Sequence, residues 1–255
     1  RGADARRVGV AVPAVCGQLT CLRRRGRRNG GRGADTRPAR PGTAWWTRML
    51  TASHSICTPC AEAALARLLR EIAACRVCAA ALPGGPRPVL QAGTGARLLV
   101  VGQAPSASVH ASGVPFDDAS GRRLRTWLGL PPAVFYDPDA VAILPVGFCW
   151  PGRGARGDRP PRPECAPLWH DRVRALSAAV ELVLALGRHA VDRELGPATA
   201  PLMERVAAGD PARDAVLALP HPSPRNRAVL ARHPWFEAAF LPALRRRLAA
   251  LDIGG

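Results

Sequence analysis

Two groups of residues in this sequence have side chains and spacing suited to chemistry: eight cysteines and a His-Pro-Ser motif. Two cysteine pairs, Cys57/Cys60 and Cys75/Cys78, have the CxxC spacing that metal sites often use. His221 begins the His-Pro-Ser motif and follows a short apolar run. The sequence therefore offers candidates for a metal centre and for a ligand site at the end of a strand.

The cysteines allow three interpretations, of which a zinc ion shared by both CxxC pairs is disfavoured. The 14 residues between the pairs predict a helix that would hold them about 20 Å apart, whereas thiolates on one zinc lie about 4 Å apart. In the second interpretation, Cys75, Cys78, Cys149 and Cys165 come from separated loops and hold an iron–sulfur cluster. The third is a set of unconnected buried thiols that pack as small apolar groups. Spacing alone leaves the last two open.

Four short apolar runs predict the strands that must position these groups. They lie at 98–101, 140–144, 182–186 and 215–219. Each run is apolar on both faces, as in parallel strands that helices cover on both sides. Helical patterns separate them, at 61–74, after Gly121, and at 166–179, 188–195, 201–207 and 234–250. The alternation predicts an α/β fold, a three-layer α/β/α sandwich with a central four-stranded, mostly parallel sheet.

Each predicted strand ends in a loop of unusual composition. The first loop, within 97–121, is rich in Gly, Pro and Ser and carries one aromatic residue, Phe116. The other loops begin at Pro145, Gly187 and His221. Because the carboxyl ends of parallel strands meet at one edge of a sheet, all four loops should converge there and form a ligand site.

The composition points to an anionic partner and divides the chain unevenly. The net charge is +17, and all 36 basic residues are Arg, whose planar fork matches phosphate oxygens. Residues 1–48 contain twelve Arg and only two acidic residues, which predicts a disordered Arg/Gly/Pro-rich tail before a folded domain at 49–255. Met49 suggests that native translation starts there, so that the tail is not made. No apolar stretch approaches membrane-spanning length, and we expect a cytoplasmic monomer.

A series of short motifs occurs in a fixed order along the chain. The series is Cys75-x-x-Cys78, Gly102-x-Ala-Pro105, Gly113-x-Pro-Phe116, Ala119-x-Gly121, Cys149, Cys165-x-Pro, Leu186-Gly187 and His221-Pro-Ser223. In this order, over residues 63–250, it resembles the uracil-DNA glycosylase superfamily, and most closely its iron–sulfur class. The resemblance implies hydrolysis of the N-glycosidic bond of uracil, or another deaminated base, in DNA after the base has flipped out of the helix.

The resemblance also implies a cofactor and residue roles. A structural 4Fe–4S cluster would be held by Cys75, Cys78, Cys149 and Cys165. Phe116 would stack on the flipped base, and His221 would donate a hydrogen bond to the uracil O2. The full set of implied positions is His221, Gln103, Asp117 and Asp118 for catalysis; Gln103, Ala104, Phe116, Val146, Gly147 and His221 for base binding; and Ser223, Arg225 and Asn226 for DNA binding.

Two departures from the iron–sulfur class bear on activity. Gln103 stands where the class has a water-orienting Glu, and Pro145 stands where it has an Asn that reads the uracil edge. Base recognition would then fall to backbone groups of 103–105 and 146–148, or to another side chain. Asp117 and Asp118 are the nearest replacement carboxylates, although Asp118 or Ser120 would equally cap the following helix.

Three hypotheses for the function follow. The first is an active DNA glycosylase. The second is a catalytically weak or inactive relative that binds DNA or a damaged base with the same pocket. A hydrolase of nucleotide-like small molecules is the third.

Overall fold

Four parallel strands form the central sheet of the domain. The computed structural model describes residues 58–155 and 157–253, and within them β1 is Leu98–Val101, β2 Val141–Ile143, β5 Leu182–Leu186 and β6 Val216–Leu219. The strand order is β2-β1-β5-β6, and every pairing is parallel. The predicted four-stranded parallel sheet is therefore confirmed.

The central strand β1 is buried along its whole length, which explains its uninterrupted Leu-Leu-Val-Val sequence. Leu98 is in register with Val141 on one side and with Leu182 on the other. A strand with neighbours on both edges and helices on both faces has no solvent-facing side, so it carries no alternating polar residues. The sheet thus forms the middle layer of a three-layer α/β/α fold.

Helices precede, connect and follow the strands. They are α1 (Thr58–Ala73), α2 (Ala107–Ser112), α3 (Ala119–Leu128), α4 (Pro132–Phe135), α5 (Cys165–Leu176), α6 (Gly187–Leu195), α7 (Leu202–Ala207), α8 (Arg227–Ala231) and α9 (Leu241–Ala250). In α1, Leu65, Leu68 and Ile72 are buried at the spacing of one helical face. Helix α1 packs on α5, and α3 packs on α9, while α6 and α7 pack directly against strands of the sheet.

Several local features differ from the sequence-based expectation. The predicted helix at 234–250 contains a π-helical turn, Phe236–Phe240, before α9. Pro242 follows in the first turn of α9 and has no N–H to donate, so it cannot continue a regular α-helical ladder. Helix α2 and the antiparallel hairpin of β3 (Arg153–Gly154) and β4 (Gly157–Asp158) lie in segments predicted as loops.

The predicted tail, residues 1–48, lies outside the described residues, as does Cys57. Among the helices of the described ranges, none has the length and apolar character needed to cross a membrane.

Candidate active site

A cleft of about 800 Å³ opens at the carboxyl edge of the sheet. Its walls come from the loops after β1, β2 and β6 and from the β3–β4 hairpin. Eight of the eleven positions predicted for catalysis, base binding or DNA binding line it: Gln103, Ala104, Phe116, Asp118, His221, Ser223, Arg225 and Asn226. The structure therefore brings most of the predicted site together, whereas Asp117, Val146 and Gly147 do not line the cleft.

Phe116 is held in an unusual backbone conformation at the cleft wall. Its φ of 55° lies in the left-handed region, which non-glycine residues seldom adopt. Gly121 makes this possible, because a Cβ at position 121 would lie 1.7 Å from the Phe116 carbonyl oxygen. The Tyr136 hydroxyl donates to that same oxygen at 3.4 Å. Strain of this kind costs about 1–3 kcal/mol and is typical of functional positions.

Asp118 serves as the N-cap of α3. Its Oδ1 accepts from the Gly121 N–H at 2.9 Å, and its Oδ2 accepts from the Ser106 hydroxyl at 2.9 Å. Both carboxylate oxygens are thus engaged in holding the first loop against α3. Asp117 is exposed and does not line the cleft.

His221 has one ring nitrogen whose role the backbone fixes. Its Nδ1 accepts a hydrogen bond from the Ser223 N–H at 3.2 Å, so the proton of the neutral ring is on Nε2. Burial lowers the pKa of His221. The carboxylate of Asp118 opposes this shift, and the smaller effect of the Arg225 charge adds to it. The imidazole is consequently a neutral Nε2–H donor near pH 7.

The loop after β2 is tied down by its own backbone. The Val146 N–H donates to the Gly102 carbonyl at 2.8 Å, and the Gly147 N–H donates to the Gln103 carbonyl at 3.0 Å. These two predicted base-binding N–H groups already have partners. They connect the first and second loops and hold Pro145 in the cleft lining.

His170 supports this loop from below and was not identified from the sequence. Its Nε2 donates to the Pro145 carbonyl at 2.9 Å, and its Nδ1 accepts from Arg193 Nε at 3.2 Å. Burial, followed by the charge of Arg193, lowers the pKa of His170 to about 3. Phe148 stacks on the ring at a centroid distance of 5.4 Å. The sequence carries no signal for this supporting role, because a single His within a predicted helix belongs to no motif.

The β3–β4 hairpin adds a wall that sequence reasoning missed. Arg153, Gly157 and Asp158 line the cleft, and Gln103 Nε2 donates to the Arg159 carbonyl at 3.2 Å. The glycines at 154 and 157 flank a short connection, a composition typical of hairpins. The segment is otherwise so rich in Arg, Gly and Pro that it suggests an irregular loop.

A comparison with known protein families identifies the family of this chain. A family model described as the uracil-DNA glycosylase superfamily matches residues 91–245, well over half of the chain. The chain belongs to the uracil-DNA glycosylase superfamily. The matched region contains every residue of the cleft described above except Val89. It begins after Cys75 and Cys78, so membership of the superfamily does not depend on these cysteines.

The four cysteines assigned to a cluster line a second, narrow pocket in this glycosylase-superfamily domain. Burial raises the pKa of Cys165 to about 12, although its Sγ accepts a hydrogen bond from the Phe148 N–H at 3.3 Å. Burial also raises the pKa of Cys149 and of Cys78. Across residues 58–155 and 157–253, no three His, Cys, Asp or Glu side chains are arranged to hold a single metal ion.

Proposed function

We propose that this protein is a DNA glycosylase that hydrolyses the N-glycosidic bond of uracil or another deaminated base in DNA. The observation that carries the proposal is the fixed Nε2–H of His221 in the same cleft as the ring of Phe116. One group supplies a flat apolar surface for a base, and the other supplies a neutral donor for an oxygen of that base. Membership of the uracil-DNA glycosylase superfamily supports the same reaction class.

Cleavage of the glycosidic bond requires that the base be held and that its developing negative charge be stabilised. Phe116 and His221 can meet these two requirements. As the bond between C1′ and the base nitrogen breaks, negative charge moves onto the oxygens of the leaving base. A donor that is already positioned stabilises this charge by roughly 3–4 kcal/mol. A neutral imidazole is suited to this task. A protonated imidazole carries a full positive charge and would bind anions even before the glycosidic bond breaks.

The DNA itself would lie against the loop that follows His221. Ser223, Arg225 and Asn226 line the cleft, and Asn226 Nδ2 braces the loop by donating to the His221 carbonyl at 2.7 Å. Arg123 Nη1 donates to the Ser223 carbonyl at 3.4 Å, which fixes the loop to α3. Arg side chains beside the cleft give the positive charge that a flipped nucleotide's phosphates require.

We further propose that Cys75, Cys78, Cys149 and Cys165 bind a 4Fe–4S cluster. All four side chains line one pocket, although they come from the end of α1, the loop after β2 and the start of α5. The N–H of Phe148 already points at Cys165, and such N–H···S bonds are typical of cluster ligands. The cluster would supply a cross-link between three chain segments and take no part in bond cleavage.

The proposed activity is tested with a duplex and a single-stranded oligonucleotide that each carry one uracil. Alkali cuts the strand wherever the protein has left an abasic site. Wild-type protein should give strand scission, and His221→Ala should lower the single-turnover rate by about 10²–10³-fold. His189→Ala is the matched control, because His189 is an exposed histidine outside the cleft. No scission by wild type on uracil, hypoxanthine or xanthine DNA would contradict the proposal.

A second candidate function, binding without cleavage, has one observation in its favour. Gln103 stands at the position of the class's water-orienting Glu, and an amide cannot accept a proton from water. A pure binder would retain tight binding of uracil-containing DNA and release no base. The alkali assay, run beside a binding measurement on the same oligonucleotides, separates the two functions.

A further inference from the structure

Two carboxylates line the cleft, and they differ in how their oxygens are used. Both oxygens of Asp118 accept hydrogen bonds from the protein. Asp158 accepts only one, at Oδ1, from Trp150 Nε1 at 3.2 Å. Among the residues that the structure describes, none donates a hydrogen bond to Asp158 Oδ2. Asp158 is thus the cleft carboxylate with an oxygen available for water.

The hairpin places this carboxylate beside the His221 loop. Arg153 pairs directly with Asp158 across the hairpin. Gly157, with a φ of 132°, packs against Arg225 so closely that a Cβ there would lie 2.2 Å from Nη1. The carboxylate of Asp158 also acts to raise the pKa of His221, against the larger effect of burial. Strand β4 therefore approaches the cleft from the side of the catalytic histidine.

Gln103 fastens the hairpin in this position. Its amide Nε2 donates to the Arg159 carbonyl, the residue next to Asp158 in the chain. The Arg159 N–H donates in turn to the Gly152 carbonyl at 2.9 Å, which closes the base of the hairpin. A glutamate at position 103 has no proton to donate at neutral pH and would repel that carbonyl. The amide thus has a function that a carboxylate could not perform.

From these contacts we propose that Asp158 is the catalytic base that orients and deprotonates the attacking water, and that Gln103 is a positioning residue that acts through Asp158. This inference rests on the glycosylase activity proposed above. It explains how a chain without the class's Glu still presents a carboxylate to the water.

The step balances as a hydrolysis. The water oxygen forms a bond to C1′ while the bond from C1′ to the base nitrogen breaks, and its electron pair stays with the base. The proton of the water passes to Asp158 Oδ2 and then to solvent. The leaving base, held by His221 Nε2–H, takes a proton from solvent. The products are an abasic sugar with a hydroxyl at C1′ and the free base.

The first test compares Asp158→Asn with Asp171→Asn under single-turnover conditions on uracil DNA. General base catalysis is worth about 10²–10⁴-fold, so D158N should lose at least 10²-fold in rate. D171N removes the same charge from an exposed side chain outside the cleft and should stay within about threefold of wild type. Thermal stability and DNA affinity of D158N should match those of wild type.

The dependence of the rate on pH separates a base from a structural group. The charged or polar side chains around Asp158 are Arg153, Trp150, Arg225 and His221. Burial lowers the pKa of His221, and this residue is present in both proteins. The wild-type rate should fall as the pH is lowered, and the profile of D158N should lack this acid limb.

A double-mutant cycle tests the role of Gln103. Gln103→Met keeps the length of the side chain and removes its donor, and it should slow cleavage by about tenfold. In combination with D158N it should add nothing, because the two residues act through one group. Additive losses would overturn the positioning role of Gln103.

These experiments distinguish a failure of the Asp158 proposal from a failure of the glycosylase proposal. If wild type cleaves and D158N cleaves equally well, or keeps the acid limb, the role of Asp158 is overturned and the glycosylase proposal stands. If wild type cleaves none of the uracil, hypoxanthine or xanthine substrates, both proposals are overturned.

Discussion

The cleft and the cysteine pocket lie on either side of one short loop. They differ in volume and in the chemical groups that line them. Pro145 faces the cleft, whereas Gly147, Phe148 and Cys149 face the cysteine pocket. The cleft is about 800 Å³, and its lining combines apolar side chains with hydroxyl, carboxylate, amide and imidazole groups. The cysteine pocket is narrow and lined chiefly by sulfur and apolar groups. The cleft has room for a ligand that exchanges with solvent, whereas the cysteine pocket is small and mostly apolar.

The largest effect on this difference between the cleft and the cysteine pocket is expected when one cysteine sulfur is removed. Protein purified without oxygen should be brown and carry near-stoichiometric iron and sulfide, and Cys149→Ser should lose colour and iron together. Cys60→Ser is the control, since Cys60 does not line the pocket. Iron and sulfide analysis beside the visible spectrum measures the effect. A colourless, zinc-loaded wild type would contradict the ligand assignment.

On the cleft side, the largest loss of stability is expected from Gly121→Ala. The new Cβ would meet the Phe116 carbonyl oxygen at 1.7 Å, so the first loop must move or α3 must shift. We expect a loss of about 3 kcal/mol in the free energy of unfolding. Gly95→Ala is the matched control, because its Cβ would make only ordinary contacts at 3.4 Å. Urea unfolding of both variants decides the matter, and equal midpoints would contradict the expectation.

A substitution of the aromatic ring separates binding from chemistry within the cleft. Phe116→Leu keeps an apolar side chain and loses the flat surface on which a base stacks, worth about 1–3 kcal/mol. Because stacking stabilises the bound base before and during bond cleavage alike, KM should rise while kcat changes little. Steady-state kinetics on uracil DNA gives both constants. A fall in kcat with KM unchanged would mean that the ring acts on the reaction itself.

The effect that is smallest at neutral pH concerns His170, which supports the loop between the two regions. The pKa of His170 is about 3 in the folded protein and about 6.5 when unfolded, so only the unfolded chain is protonated between these values. Folding stability from this residue is therefore complete above pH 6.5 and declines by about 1.4 kcal/mol per unit as the pH falls towards 3.

The contribution of His170 is isolated by difference. Urea unfolding of wild type and of His170→Gln, repeated between pH 7 and pH 4, should show a shallower loss of stability in the variant. Gln keeps an amide donor for the Pro145 carbonyl and has no titrating group in this range. Identical slopes for the two proteins would contradict the assignment.

Much of the fold could be predicted from the sequence because its strands are buried on both faces. The runs at 98–101 and 182–186 coincide with β1 and β5, since an uninterrupted apolar run bounded by Gly is a strong local signal. The π-helical turn before α9 could not be predicted, because the pattern of apolar residues is nearly the same in both helix types.

The site divides in the same way. Phe116 and His221 are marked by their motifs, and the structure places both in one cleft. Asp158 carries no such mark, because its position depends on a hydrogen bond from Gln103 to a residue 56 positions further along the chain. Contacts of this kind depend on tertiary folding, so local sequence patterns do not report them.

The close approach of Gly121 to the Phe116 carbonyl limits how these two positions can change during evolution. The first turn of α3 and the aromatic wall of the cleft share one small volume, so neither position is free to drift independently during evolution. Lineages that keep an aromatic ring here should keep glycine five residues later. Lineages that replace this glycine should have remodelled the whole intervening turn.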